Sequence, residues 1–139
     1  MSWTGGSVVT RGRFLVVAGA VGGSPTVRLV VDDALFACAD GLVCLLDDST
    51  LPRPPRLQAA VKNCRFLVPE GRPLIEQAGI GTPESYRPAV DWSDAACRYE
   101  GSGVWRRIDA AAERLDLDFA SRHKPFQHDP RITSWPAED

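Results

Sequence analysis

Leu35-Phe36-Ala37-Cys38-Ala39-Asp40-Gly41-Leu42-Val43-Cys44-Leu45-Leu46 is an apolar run interrupted once, by an Asp-Gly pair. Asp-Gly between two apolar segments is the sequence signature of a two-residue hairpin turn, because both residues tolerate the positive φ that such a turn demands. The run is therefore predicted to split into two antiparallel strands, 34–38 and 42–46. Asp47, Asp48 and Ser49 close the second strand.

The same logic extends toward the N-terminus. Ser7–Thr10 is short and β-prone. Phe14–Ala18 is apolar and ends at Gly19, Gly22, Gly23 and Pro25; the valine-rich Thr26–Val31 follows. Two β-prone runs joined by a Gly-rich turn predict a second hairpin. Asp32 and Asp33 suit the turn after it, where Asp bonds its own backbone.

Beyond Asp47 the reading becomes mixed. Leu51-Pro52-Arg53-Pro54-Pro55 is expected to be a crossover, since proline neither donates to a ladder nor continues a helix. Arg56–Asn63 places Leu57, Ala60 and Val61 at helical spacing, and Pro73–Gln77 has proline in a first turn with Gly79 as a stop. Both predict short helices. Phe66–Val68 reads as another strand, and residues 81–93 as irregular. The principal helix is predicted over Val104–Leu115, from Val104, Ile108, Ala111 or Ala112, Leu115 and Phe119 on one face and Arg106, Arg107, Asp109, Glu113 and Arg114 mostly on the other. The alternation in Leu115–Phe119 fits a strand after it.

These elements predict an α+β fold: an antiparallel, β-rich N-terminal half with one main C-terminal helix packed on the sheet. The chain of 139 residues fits a single globular domain, 1–139, with a polar tail over 121–139. The helix is expected to bury Val104, Trp105, Ile108, Ala111 and Leu115 against Phe14, Val16, Leu29, Val31, Val43 and Leu45. No internal repeat is evident. Arg13-Phe14-Leu15-Val16 and Arg65-Phe66-Leu67-Val68 match over four positions only.

Sixteen basic and 18 acidic residues give a net charge of -2. This lacks the basic excess of a nucleic-acid binder, so nucleic acid is not expected as a partner. No apolar run reaches the length of a membrane span. Residues 11–24 imitate an export signal, with arginines before a short apolar stretch. A buried strand is the preferred reading, and the expected location is cytoplasmic. Cys38, Cys44, Cys64 and Cys97 form no CxxC pair, so no metal is expected, and buried thiols are. The Gly-rich segment 19–23 is followed by Pro25 and a β-run rather than a helix, so no nucleotide cofactor is expected.

Catalytic signals are sparse. There is no Gly-x-Ser-x-Gly elbow. His123 and His128 lie close together in the tail, and Asp32-Asp33 and Asp47-Asp48 form carboxylate pairs suited equally to turns. They sustain one alternative, a small enzyme. Between Arg53 and Arg72 five basic residues face one acidic residue, Glu70, and Trp92 and Trp135 lie outside the predicted core. Arginine and tryptophan are favoured interface anchors. Arg53, Arg56, Arg65, Trp92 and Trp135 are therefore the candidate partner-binding residues.

The ending, with Asp129-Pro130 and then Trp135, is similar to the tails of some small bacterial immunity proteins that neutralise secreted toxins. The likeness covers a few positions and carries no residue roles. The function expected is that of a protein-binding module, of inhibitory or immunity type in a bacterial or phage system. A structural role in a larger assembly is the third option.

Overall fold

The computed structural model describes residues 1–19, 25–47, 54–101, 104–110 and 113–118. The chain winds as a coil of parallel strands, three to a turn. The first turn holds β1 (Ser2–Thr4), β2 (Ser7–Thr10) and β3 (Leu15–Ala18); the second, β4 (Thr26–Asp32), β5 (Leu35–Cys38) and β6 (Val43–Asp47). The third holds β7 (Arg56–Lys62), β8 (Arg65–Leu67) and β9 (Ile75–Gly79); the fourth, β10 (Val90–Ala95), β11 (Arg98–Glu100) and β12 (Val104–Ala110). Strand β13 (Glu113–Asp118) folds back antiparallel on β12.

Like strands of successive turns stack. The first sheet has the order β1-β4-β7-β10, the second β11-β8-β5-β2, and the third β13-β12-β9-β6-β3. Ser2 faces Val30, Thr26 faces Arg56, and Leu57 faces Val90. Each turn thus advances the chain by roughly 30 residues, a length typical of solenoids. The architecture is a β-solenoid.

This overturns the α+β expectation. The pairs expected to be hairpins lie in different sheets: β3 pairs in parallel with β6, β4 with β7, and β5 with β8. Asp40-Gly41 is a corner between the second and third sheets. Gly41 takes a φ of 108°, and a Cβ there would collide with the Pro73 carbonyl of the next turn. Glycine is needed for one turn to lie on another, which local sequence does not distinguish from a hairpin.

The predicted helices fail for a related reason. In β7, Leu57, Ala59 and Val61 point inward while Arg56, Gln58, Ala60 and Lys62 point outward. Alanine at both 59 and 60 made period 2 and period 3.6 equally legible. Pro73–Gln77 leads into β9 in the same way. The main helix predicted over 104–115 is instead β12 and β13. Arg106, Ile108 and Ala110 form the inward row of β12, and an arginine at an inward position disguised the alternation. A register shift at Val104–Arg106 brings Trp105 into the core beside it. The only helical elements described are α1 (Pro83–Tyr86), capped by Thr82, and a 3₁₀ turn at Arg87–Ala89. They lie within the segment expected to be irregular.

The interior is layered. Phe36, Phe66 and Tyr99 stack along the second sheet, with centroids 5.5 and 5.2 Å apart and both pairs inclined by 14°. Leu29, Ala59 and Trp92 line the first sheet, and Val43 and Ile75 the third. Trp3 covers the N-terminal end, packed edge-on to Phe14 at 6.2 Å. Val16, expected in the core, points outward and is exposed. The corner between the first two sheets repeats as Gly5-Gly6, Asp33-Ala34, Asn63-Cys64 and Ala96-Cys97. Its first residue is left-handed each time, with φ of 73°, 56°, 52° and 56°.

Candidate binding groove on the first sheet

Parallel register sets the outer face of the first sheet. Side chains alternate in and out along each strand, so equal positions of β4, β7 and β10 form outward rows. One row is Arg28, Gln58 and Asp91; the next is Val30, Ala60 and Ser93; the third is Asp32, Lys62 and Ala95. The middle row is short, and the row Arg28, Gln58 and Asp91 beside it is longer. The result is an open groove of about 300 Å³ lined by Arg28, Val30, Gln58, Ala60, Asp91 and Ser93. It runs along the solenoid axis across three turns, about 10 Å at a strand spacing near 4.8 Å.

The groove is polar at its rim and apolar on its floor. Arg28 donates through Nε and a terminal nitrogen to Gln58 Oε1, both at 3.3 Å. Asp91 closes the same row with a carboxylate. Beyond the groove, at the corner of the sheet, Asn63 donates to Asp32 at 3.3 Å. One end of the row is thus cationic and the other anionic, with an amide between them.

The sequence-selected residues do not converge there. Arg56 lies on this face, exposed, one row beyond Gln58. Arg65 lies around the corner on the second sheet, where it donates two hydrogen bonds to Glu100 at 3.1 and 2.7 Å. Lys62 lies on the first sheet with Arg56, so the described part of the basic run is divided between faces. Trp92 is an interior residue at 0% exposure; its indole N–H donates to Tyr99 at 2.9 Å, and the Tyr99 hydroxyl donates to Asp94 at 2.6 Å. Arg53, Trp135, His123, His128 and Asp48 lie outside the described residues. Asp33 holds the left-handed corner position, and Asp47 is buried, accepting from the Tyr86 hydroxyl at 3.3 Å.

Two further polar clusters are structural. Arg106, turned inward, donates to Gln77 Oε1 at 2.7 Å and to the carbonyls of Tyr86 and Arg87 at 2.6 and 2.9 Å. These bonds tie the 83–89 helical segment to the third sheet. Burial, and then Arg87 nearby, pull the Arg106 guanidinium down to about 10. Outside the same sheet, Arg13 pairs with Glu76 at 2.5 Å, and Arg107 with Asp116 at 2.7 Å. All four cysteines are buried and free. Among the described residues no three His, Cys, Asp or Glu side chains converge as a metal site. No described helix is long and apolar enough to cross a membrane.

Arg28, Gln58 and Asp91 escaped the sequence reading because they are far apart in the chain. The available signal was the corner motif: Ala34-x-Phe36, Cys64-x-Phe66 and Cys97-x-Tyr99 repeat at solenoid spacing. Aligning those three segments aligns the outward rows as well. No known protein family, curated protein or solved structure matches the chain.

Proposed function

We propose that this chain is a protein-binding module that docks an extended segment of its partner in the groove on the first sheet, acting by occlusion. The observation that supports this reading is the row Arg28–Gln58–Asp91 beside the small-residue floor Val30–Ala60–Ser93. A stacked parallel sheet is a rigid platform, so its surface loses little conformational entropy on binding. Arg28 suits an acidic side chain, Asp91 a basic one about 10 Å away. The floor accepts a small apolar residue between them.

The experiment is selection of a displayed random-peptide library on the immobilised full chain, in parallel with Ala60→Arg and Arg28→Ala. Ala60 is exposed, so arginine there fills the groove without entering the core. Peptides carrying an acidic and a basic residue should be enriched on the parent protein and lost on both variants. Circular dichroism should show the same β content in all three. Enrichment that survives Ala60→Arg, or no enrichment at all, removes the groove as the binding surface.

A further inference from the structure

Asn63-Cys64 and Ala96-Cys97 are the same corner on successive turns. Backbone pairing runs unbroken around it: Asn63 N–H donates to Ala95 at 2.9 Å, and Arg98 N–H donates to Cys64 at 2.8 Å. Lys62 faces Ala95 on one side of the corner, and Arg65 faces Arg98 on the other. Cys64 therefore stands opposite Cys97, one strand spacing away. That spacing of about 4.8 Å between Cα atoms lies within the range a disulfide spans.

Both thiols face the interior, at 2% and 1% exposure. The Cys64 thiol donates to the Lys62 carbonyl at 3.1 Å and the Cys97 thiol to the Ala95 carbonyl at 3.4 Å; the neighbouring Cys97 thiol, chiefly, holds Cys64 down at about 7, against its burial. The same contact, with burial, pushes Cys97 up. At Cys38 a backbone hydrogen bond from Phe14 opposes burial without overcoming it. Burial pushes Cys38 up to about 11 and raises Cys44. Thiolate is the reactive form, so one sulfur of the four is poised to react and has a second beside it.

We propose that Cys64 and Cys97 form a reversible intramolecular disulfide, made by hydrogen peroxide and undone by a dithiol. The burial of both sulfurs sets the oxidant: peroxide is small enough to reach them, and a bulky disulfide reagent is not. The Cys64 sulfur attacks one peroxide oxygen. An S–O bond forms, the O–O bond breaks, and the departing hydroxide takes the thiol proton and leaves as water. The sulfur is now a sulfenic acid. The Cys97 sulfur then attacks it; the S–S bond forms, the S–O bond breaks, and the oxygen leaves as a second water with the Cys97 proton. Two thiols and one peroxide become one disulfide and two waters. The dithiol reverses this by exchange, itself becoming a disulfide.

The bond would link the third and fourth turns covalently at their shared corner. The test is brief treatment of the native full chain with hydrogen peroxide, then denaturation, alkylation of remaining thiols and peptide mapping. Two of the four thiols should be lost, with Cys64 and Cys97 in one cross-linked peptide pair. Dithiothreitol should restore all four. Cys97→Ser should instead accumulate a Cys64 sulfenic acid that dimedone traps; the variant's melting is measured first, and the mapping of the parent chain stands without it. Cys38→Ser should react like the parent. No cross-link, a bridge using Cys38 or Cys44, a link between chains, or failure of dithiothreitol to restore the thiols would each overturn the proposal.

Discussion

The ring of Phe66 stacks on the ring of Phe36 at 5.5 Å between centroids and 14° between planes, one turn of the solenoid apart. Tyr99 continues the stack on the other side at 5.2 Å. Phe66 is thus the central member of a ladder whose neighbours come from different turns. Phe66→Ala should leave a cavity touching both and cost about 3–5 kcal/mol. Urea unfolding followed by far-UV circular dichroism measures it. A loss below about 1 kcal/mol would mean the stack contributes little.

Ala96 holds a φ of 56° at a corner where Asn63 and Asp33 take the same conformation. Asn and Asp tolerate this region; alanine does not, at a cost near 1–2 kcal/mol. Ala96→Gly should raise the melting temperature, and Asn63→Val should lower it, because a β-branched side chain is excluded there. Opposite signs for the two changes test the corner geometry in one thermal series.

Arg106 is the buried donor that holds the carbonyls of Tyr86 and Arg87. Arg106→Met keeps much of the volume and removes the donors to the Arg87 carbonyl and Gln77 Oε1, while Gln77 Nε2 still donates to the Tyr86 carbonyl at 2.9 Å. The expected loss is about 1.5–3 kcal/mol. Hydrogen exchange should locate it: amides of Ser85 and Tyr86, which bond to Thr82, should exchange faster, while those of β7 should not.

The Asp116 carboxyl is held below its usual value, first by hydrogen bonding to Arg107 and then, against burial, by Arg114. A carboxylate depressed in the folded state stabilises the fold above its unfolded pKa, near 3.9. That stabilisation is lost as pH falls through the folded value. The side chain is 37% exposed, so solvent screening limits the effect to at most about 1 kcal/mol. Melting of the parent chain should therefore decline more steeply than that of Asp116→Asn as the pH is lowered below about 4. Parallel curves would show that the pair contributes nothing.

In the first half of the chain the strands themselves were legible. The valine-rich Thr26–Val31 was expected to be a strand and lies in β4, and the expected strands 34–38 and 42–46 overlap β5 and β6. Leu29, Val31, Val43, Leu45 and Ile108 were expected in the core and lie there. Pairing direction was not legible. A glycine that permits a tight turn and a glycine that lets another turn pass over it look alike in sequence; at Gly41 only the Pro73 carbonyl, from the next turn, separates the two cases.

What the sequence determined by itself is that the apolar runs of its first half are strands and where the chain can bend, because both depend on neighbours a few residues away. What only the tertiary structure decided is which strands stack. That choice placed Arg28 beside Gln58 and Asp91, and Cys64 opposite Cys97. It turned Arg106 inward, where the helical segment's carbonyls compensate its burial. These relationships rest on backbone hydrogen bonds between positions roughly 30 residues apart, and such bonds leave no mark on the local pattern of either partner.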